Sequence, residues 1–255
     1  MTKLTKKVVI GNLKMNGSLH FNEKHFSDIK SGVNDFSDVD IGVCVPYPYL
    51  FQAQRVFQKS NIFWGSQNVA KDSDGPFTGE VSVSMLSDFN AKCAIVGHSE
   101  RSTAYCESDE NIALKFSALK NKLMTPVLCV GETLIEREAG IMERVVASQI
   151  NTIRKNYGKN IFADSIISYE PIWAIGTDLA ASPDQADHMC SFIRGLINDT
   201  ENNNVEGLKI IYGGSVNSKN ALQLCGLESV DGALIGRGSL NAEEFIKICQ
   251  IVNSI

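Results

Sequence analysis

Eight short apolar segments with β-strand character alternate along this chain with segments that have helical patterning. The predicted strands are Val8–Lys14, Ile41–Val45, Ile62–Gly65, Cys93–Gly97, Pro126–Val130, Ser165–Tyr169, Leu208–Tyr212 and Gly232–Ile235. Such alternation over the whole length, without a linker, is typical of a parallel sheet with crossover helices. An open doubly wound sheet also alternates this way, but no G-x-G-x-x-G sequence follows the first strand. We therefore expect one (β/α)8 barrel domain over residues 1–255.

The composition limits the classes of function. With 255 residues, of which 44% are hydrophobic, the chain is long enough to bury a sizeable core. A formal net charge of -5 argues against general nucleic-acid binding, although one local phosphate pocket stays compatible with it. No apolar run approaches the roughly 18 residues of a membrane span, and the basic N-terminus has no apolar segment behind it. We expect a cytoplasmic protein that binds neither nucleic acid nor membrane.

The cysteines and histidines predict no metal site. The seven cysteines are scattered, form no C-x-x-C pair and several lie in strand segments, which argues against a disulfide framework. His20 and His25 belong to a polar helix, and His188 lies near Cys190 without a second pair of ligands. We assign these three histidines to the surface or to packing.

Polar residues occur where predicted strands end. Asn12 and Lys14 close the first strand with period-two spacing, so both side chains leave it on one side. His98 follows the fourth strand and precedes Ser99 and Glu100 at a predicted helix start, where N–H groups would hold the imidazole neutral. In a (β/α)8 barrel, these strand ends meet at the face that carries the active site.

Glu170 follows the sixth strand and is held at its base by Pro171, which restricts the residue before it. The apolar residues 172–175 are too few and too constrained for a helix, and Gly176 follows as a flexible point. This arrangement predicts a carboxylate beside a hinged lid over residues 171–177. An ordinary β-to-α connection with a solvated glutamate is the alternative, and the other strand-end residues favour the lid.

Glycine-rich loops follow the last two predicted strands. Gly213, Gly214 and Ser215 form the first of these loops, and Gly236, Arg237 and Gly238 form the second. Backbone N–H groups of these two loops commonly bind phosphate in this fold. Together, the residues at the strand ends therefore provide a carboxylate base, an imidazole, an ammonium group and two loops that can bind phosphate. That combination suits proton abstraction next to a carbonyl in a small phosphorylated substrate.

The chain resembles triosephosphate isomerase over nearly its whole length. The resemblance depends on the segments at 11–14 (GNLK), 75–80 (GPFTGE), 97–101 (GHSER), 169–177 (YEPIWAIGT) and 212–216 (YGGSV). It implies a (β/α)8 TIM barrel that interconverts dihydroxyacetone phosphate and D-glyceraldehyde 3-phosphate without a cofactor or a metal. It also implies a homodimer in which the loop around Thr78 enters the partner's site.

The resemblance further implies a role for each residue. Glu170 would move the proton, His98 would polarise and protonate the oxygens, and Lys14 and Asn12 would orient the substrate. The phosphate would bind at Gly176, Ser215, Gly236 and Arg237, and Ser99 and Glu100 would support the catalytic groups from behind.

Four positions depart from the family pattern: Leu13, Pro76, Asp178 and Arg237. We expect them to affect lid kinetics and substrate affinity, not the reaction class. Two other functions are open on the residues alone. One is an aldolase that uses Lys14 as a Schiff-base amine, and the other is a barrel retained only for binding.

Overall fold

The eight strands form a closed parallel barrel in which each strand pairs with its neighbour in the sequence and β8 pairs with β1. The computed structural model describes residues 6–157, 160–175, 181–201 and 205–255. The strands are β1 (Lys7–Asn12), β2 (Val39–Val45), β3 (Ile62–Ser66), β4 (Cys93–Val96), β5 (Thr125–Val130), β6 (Ile166–Tyr169), β7 (Lys209–Tyr212) and β8 (Gly232–Ile235). This topology confirms the expected (β/α)8 barrel.

Helices connect the strands and surround the barrel. They are α1 (Leu19–Gly32), α2 (Leu50–Phe57), α3 (Val83–Asp88), α4 (Ser99–Tyr105), α5 (Asp109–Asn121), α6 (Leu134–Glu138), α7 (Met142–Tyr157), α8 (Pro183–Glu201), α9 (Ala221–Cys225) and α10 (Ala242–Asn253). Short 3-10 helices cover Tyr47–Tyr49, Ile172–Ala174 and Arg237–Leu240. Within the described residues, no helix combines the length and apolar character that crossing a membrane requires.

Two apolar layers stabilise the barrel. Residues that point outward from the strands, such as Val9 and Ile167, pack with helix residues such as Phe116. Residues that point inward, such as Ile10 and Ile95, form a smaller core inside the barrel. Because successive strand residues face opposite sides, both faces must be apolar, which explains the continuous apolar runs in the sequence.

Several element boundaries differ from those predicted. The apolar stripe over 133–157 predicts one helix, but the segment forms two, because Gly140 between them takes a left-handed φ of +68°. The first strand ends at Asn12 instead of Lys14, since Lys14 also has a positive φ, of +52°. Helix α8 begins at Pro183 and continues to Glu201.

Side-chain caps fix several helix starts. Ser182 and Gln185 form a capping box at the start of α8, in which the Gln185 N–H donates to Ser182 Oγ at 3.2 Å and the Ser182 N–H donates to Gln185 Oε1 at 2.9 Å. At α10, Asn241 accepts the Glu244 N–H at 3.0 Å. The Glu244 carboxylate does not complete that cap, because it accepts bonds from the Ser218 N–H and hydroxyl at 2.6 and 3.0 Å instead.

The histidines outside the site differ in environment. His20 is exposed, as is His188, whose Nε2 lies 2.9 Å from Glu143 Oε1. His25, which the sequence assigned to the surface or to packing, packs in the interior: it is only 4% exposed, and its Nε2 lies 2.8 Å from the Ser239 carbonyl oxygen. It therefore links α1 to the loop after β8.

Candidate active site

A cavity of about 230 Å³ lies at the carboxyl ends of the strands. Seven of the residues singled out in the sequence line it: Asn12, Lys14, His98, Glu170, Ser215, Gly236 and Arg237. These residues lie at or just after the ends of β1, β4, β6, β7 and β8. Closure of the barrel therefore brings residues that are more than 200 positions apart in the sequence into one space. Gly176 lies outside the described residues.

Glu170 follows β6 directly and is only 2% exposed. Its N–H donates to the Val130 carbonyl at 2.7 Å, which fixes its backbone to β5. Neither carboxylate oxygen has a hydrogen-bond partner among the described residues. A buried carboxylate without donors is costly to maintain, and it is chemically available to accept a proton.

His98 caps the start of α4. Its Nδ1 accepts a hydrogen bond from the Glu100 N–H at 3.2 Å. We assign the ring proton to Nε2 on the basis of this bond, which gives a neutral imidazole that donates into the cavity. Nε2 lies 3.8 Å from Glu170 Oε1, so a substrate atom in the cavity can contact both groups.

Lys14 is held in a conformation that a lysine rarely adopts. Its φ is +52°, and its N–H donates to Asn12 Oδ1 at 3.0 Å. The ammonium nitrogen lies 2.5 Å from Glu100 Oε1. A left-handed backbone costs about 1–2 kcal/mol at a residue with a Cβ, and here it directs the side chain across the cavity. The ion pair with Glu100 fixes the position of the ammonium group.

The loops after β7 and β8 border the same cavity. A Cβ added to Gly236 would lie 3.2 Å from Lys14 Cε, so glycine allows the ammonium stem to approach this backbone. The buried Ser239 hydroxyl lies 2.7 Å from the Gly236 carbonyl and 3.2 Å from the Asn12 carbonyl. These contacts join the β8 loop to β1. In the β7 loop, Asn220 Nδ2 donates to the Ser215 carbonyl at 3.0 Å.

Glu132 is a site residue to which the sequence analysis assigned no role. It is fully buried, and its Oε1 accepts from Arg137 Nη1, the Tyr169 hydroxyl and Trp173 Nε1, all at 3.0 Å. Burial and the Glu132 charge raise the pKa of Tyr169. Since Trp173 belongs to the predicted lid, Glu132 anchors the base of that segment. Its position two residues after the end of β5 was the signal available in the sequence.

Behind His98, Arg101 and Glu107 form an ion pair, with Arg101 Nε 3.2 Å from Glu107 Oε2. The Glu107 side chain is only 6% exposed and is also paired with Lys115, whose Nζ donates to Asn68 Oδ1 at 2.8 Å. The pair is therefore part of an internal network, not a surface ion pair. Ser99 is buried at the first turn of α4, next to His98.

The remaining predictions concern positions around the cavity. Thr78 is exposed in the long loop between β3 and α3, away from the cavity of its own chain. Leu13 is fully buried in the outer core. Asp178 and Thr177 lie outside the described residues. In the described part of the chain, no group of three or more His, Cys, Asp or Glu side chains is arranged to hold a metal ion.

Comparison with known proteins gives a consistent result. The family model described as triosephosphate isomerase matches residues 7–252. Triosephosphate isomerase of Thiobacillus denitrificans is 46% identical over 247 residues, which are 97% of this chain and 98% of that protein. The Escherichia coli protein of the same name is 44% identical over 241 residues, 94% of each chain. A crystal structure of triosephosphate isomerase from Bartonella henselae has a TM-score of 0.87 at 32% identity, covering 97% of this chain and 99% of that one. The chain belongs to the triosephosphate isomerase family.

Proposed function

We propose that this protein interconverts dihydroxyacetone phosphate and D-glyceraldehyde 3-phosphate, as the names of its relatives imply. The observation that carries the proposal is the pairing of Glu170 and His98 in the cavity. A buried carboxylate without hydrogen-bond donors lies 3.8 Å from an imidazole nitrogen that carries a proton. One group is suited to remove a proton from carbon, and the other to stabilise charge on the neighbouring oxygen.

In the first half of the reaction, Glu170 removes a proton from C1 of dihydroxyacetone phosphate. The electron pair of that C–H bond forms the C1–C2 double bond, and the C2 carbonyl becomes an oxyanion. His98 Nε2–H donates to this oxygen, and the Lys14 ammonium provides a second positive group. Asn12 orients the substrate from the end of β1. The result is an enediolate, which becomes the enediol when its oxygen takes a proton.

In the second half, the proton is returned to C2 and the oxygen on C1 becomes the carbonyl of glyceraldehyde 3-phosphate. Glu170 gives back the proton that it took, and His98 transfers the hydroxyl proton between the two oxygens. The change of oxidation state is internal to one substrate molecule, because C1 is oxidised from alcohol to aldehyde while C2 is reduced from ketone to alcohol. The reaction as written therefore needs no cofactor.

The phosphate binds to backbone N–H groups at Ser215, Gly236 and Arg237, with Gly176 contributing from the lid. The Lys14 side chain, which passes against Gly236, brings positive charge to the same side. Ser99 and Glu100 hold His98 and Lys14 in position. Closing the lid over the bound substrate excludes water, which strengthens each of these interactions and protects the reactive enediolate.

The aldolase alternative requires Lys14 to act as a neutral amine. In the structure the Lys14 nitrogen instead forms an ion pair with Glu100 Oε1 at 2.5 Å, and an ammonium cannot attack a carbonyl. Borohydride treatment in the presence of dihydroxyacetone phosphate therefore leaves Lys14 unmodified. A stable adduct on Lys14 would support the aldolase reaction in place of the isomerase.

The direct test is a coupled assay that measures dihydroxyacetone phosphate formed from D-glyceraldehyde 3-phosphate. We expect turnover by the unmodified protein and a loss of at least about a hundredfold in kcat for Glu170→Gln, which cannot accept the proton. Glu138→Gln, an exposed position on α6, is the matched control and keeps full activity. An inactive unmodified protein, or an active Glu170→Gln variant, would refute the proposal.

We also propose that the protein works as a homodimer through the loop around Thr78. A second cavity of about 410 Å³ lies beside the active site and shares Asn12, Lys14 and His98 with it. Its rim includes Met15 and Tyr105, which are 93% and 69% exposed. Apolar side chains this exposed beside a cavity are typical of an interface. Phe77 and Thr78 of a second copy would fill it.

Sedimentation velocity of the full chain tests this assembly. The unmodified protein is expected to sediment as a dimer, and Thr78→Arg to shift it toward monomer with reduced activity, because a bulky charge would enter the partner's cavity. Lys71→Arg, in the same loop at an exposed position, is the control. A dimer of unchanged strength in Thr78→Arg would exclude this loop as the contact.

The cellular setting follows from the proposed reaction. We propose that residues 1–255 act as one catalytic domain in the cytoplasm. Its substrate and product are intermediates of glycolysis and gluconeogenesis, where this isomerisation connects the two triose phosphates. The partners needed are the small-molecule substrate and a second copy of the chain.

A further inference from the structure

Gln149 is a polar side chain on the apolar face of helix α7. Val146, Ile150 and Ile153 of this helix are at most 1% exposed, and Gln149 lies among them on the side that faces the barrel. Its carboxamide makes two hydrogen bonds with a single residue. The Gly131 N–H donates to Gln149 Oε1 at 3.0 Å, and Gln149 Nε2 donates to the Gly131 carbonyl at 3.0 Å. The side chain is therefore held to one backbone position just after β5.

The residues on either side of Gly131 hold Glu170 and the start of the predicted lid. The Val130 carbonyl accepts the Glu170 N–H at 2.7 Å, and the Glu132 carbonyl accepts the Ile172 N–H at 3.0 Å. These bonds continue the parallel pairing of β5 with β6 beyond the ends of both strands. Because backbone groups of successive strand residues face opposite edges, the N–H and carbonyl of Gly131 face away from this pairing. They are available to a side chain of α7.

The backbone at Gly131 lies directly against that of Glu170. A Cβ placed on Gly131 would lie 2.7 Å from the Glu170 carbonyl carbon and still closer to the carbonyl oxygen. A cavity of about 220 Å³ borders Gln149, Gly131 and Glu170, so side-chain packing on this side of Glu170 is incomplete. Contacts with the backbone of residues 130–132 therefore carry much of the support of Glu170, and a shift of Gly131 is transmitted to it.

We propose that Gln149 is a positioning residue, which fixes residues 130–132 and through them the backbone of Glu170. Two hydrogen bonds to one residue restrain both its position and its orientation, as a neighbouring strand would. Gln149 lines the cavity behind Glu170 and touches no substrate, so it acts only through Gly131. The kinetic part of this inference rests on the proposed function, whereas the structural part does not.

The test compares two replacements of Gln149 with a control on another outer helix. Gln149→Met keeps the length of the side chain but removes both hydrogen bonds. Gln149→Asn keeps the carboxamide but withdraws it by one methylene, so it separates the polarity of the group from its placement. Gln250→Met, at an exposed position of α10, makes the same chemical change away from the barrel.

The first measurement is amide hydrogen exchange of the full chain, followed by NMR. We expect the Glu170 and Ile172 N–H groups to exchange at least about fivefold faster in both Gln149 variants, because the segment that accepts their bonds is less restrained. The Gly213 N–H, which donates to the Tyr169 carbonyl at 2.8 Å, is the internal reference and keeps its rate. Gln250→Met leaves all three rates unchanged.

The second measurement is the coupled assay. A small displacement of a catalytic base is costly, so we expect kcat to fall about tenfold in Gln149→Met and in Gln149→Asn. The loops after β7 and β8 are not altered. The KM for D-glyceraldehyde 3-phosphate and the inhibition constant of inorganic phosphate should therefore stay within about twofold of the unmodified values. A general loss of structure would instead change all of these quantities together.

Unchanged exchange of the Glu170 and Ile172 N–H groups in Gln149→Met would overturn the inference, whatever the activity. The inference also fails if kcat in both Gln149 variants matches that of Gln250→Met, or if KM and phosphate inhibition weaken as much as kcat. An inactive unmodified protein would refute the proposed function. The exchange comparison would then still decide whether Gln149 restrains Glu170, so the two failures are distinguishable.

Discussion

Replacing Glu132 with glutamine tests whether the buried carboxylate below the lid is a structural anchor. Glu132 is 0% exposed and accepts from Arg137, Tyr169 and Trp173. Glu132→Gln keeps the shape and one acceptor oxygen, but it removes the charge that pairs with a guanidinium only 15% exposed. The carboxylate also receives the Tyr169 hydroxyl at 3.1 Å on its second oxygen, where glutamine presents an NH2 group.

The expected loss of stability can be estimated from these contacts. Removing one partner of a buried ion pair costs about 3–5 kcal/mol, and an isosteric amide that still accepts a hydrogen bond recovers part of this. We therefore expect a loss of about 2–4 kcal/mol. For a chain of 255 residues the unfolding entropy is about 0.5 kcal/mol/K, so Tm falls by about 4–8 °C.

Circular dichroism at a fixed scan rate measures this change, with Glu138→Gln on the neighbouring helix α6 as the control. Because Glu138 is exposed, its replacement by glutamine is expected to change the free energy of unfolding by less than about 0.5 kcal/mol. Trp173 emission provides a second reading in a Trp64→Phe background, since the chain has 2 tryptophans. A Tm for Glu132→Gln within 1 °C of the control, with unchanged Trp173 emission, would contradict the anchor.

Three further outcomes are expected. Glu170→Asp, which withdraws the carboxylate by one methylene, should lower kcat by about a hundredfold or more while KM changes only a few-fold, measured in the coupled assay. Cys106→Gly should stabilise the chain by about 1 kcal/mol in thermal unfolding, because Cys106 has a left-handed φ of +54° that glycine adopts without strain. Burial lowers the pKa of His25 from its usual 6.5, so the unfolded chain takes up the proton first and stability falls as pH drops below about 6.5. His25→Gln should show a smaller loss of unfolding free energy between pH 7.5 and 5.0 in urea titrations.

Each of these has an outcome that would refute its reasoning. An unchanged kcat in Glu170→Asp would mean that Glu170 is not the base. A lower Tm in Cys106→Gly would show that the cysteine side chain contributes more than its backbone strain costs. Equal acid sensitivity in His25→Gln and the unmodified protein would assign that sensitivity to other groups.

The sequence was sufficient to predict the barrel and to place the proposed catalytic residues at one cavity. The eight apolar runs specify buried parallel strands, and in such a barrel every strand end contributes to one mouth. Asn12, His98 and Glu170 could therefore be assigned to a single site from local patterns alone. The glycine-rich loops after β7 and β8 could be assigned to the same site for the same reason.

Only the tertiary structure determined how these residues are held. The left-handed backbone of Lys14, the burial of His25 and the division of the helix at Gly140 depend on contacts that no local pattern encodes. Glu132 has no local motif, and its role appears only where Arg137, Tyr169 and Trp173 converge on it. Ser168 lies in an apolar strand segment, and only the structure shows that its buried hydroxyl has no hydrogen-bond partner among the described residues. Local patterns predict which residues face the interior, whereas the partner of each buried polar group depends on segments far apart in the chain.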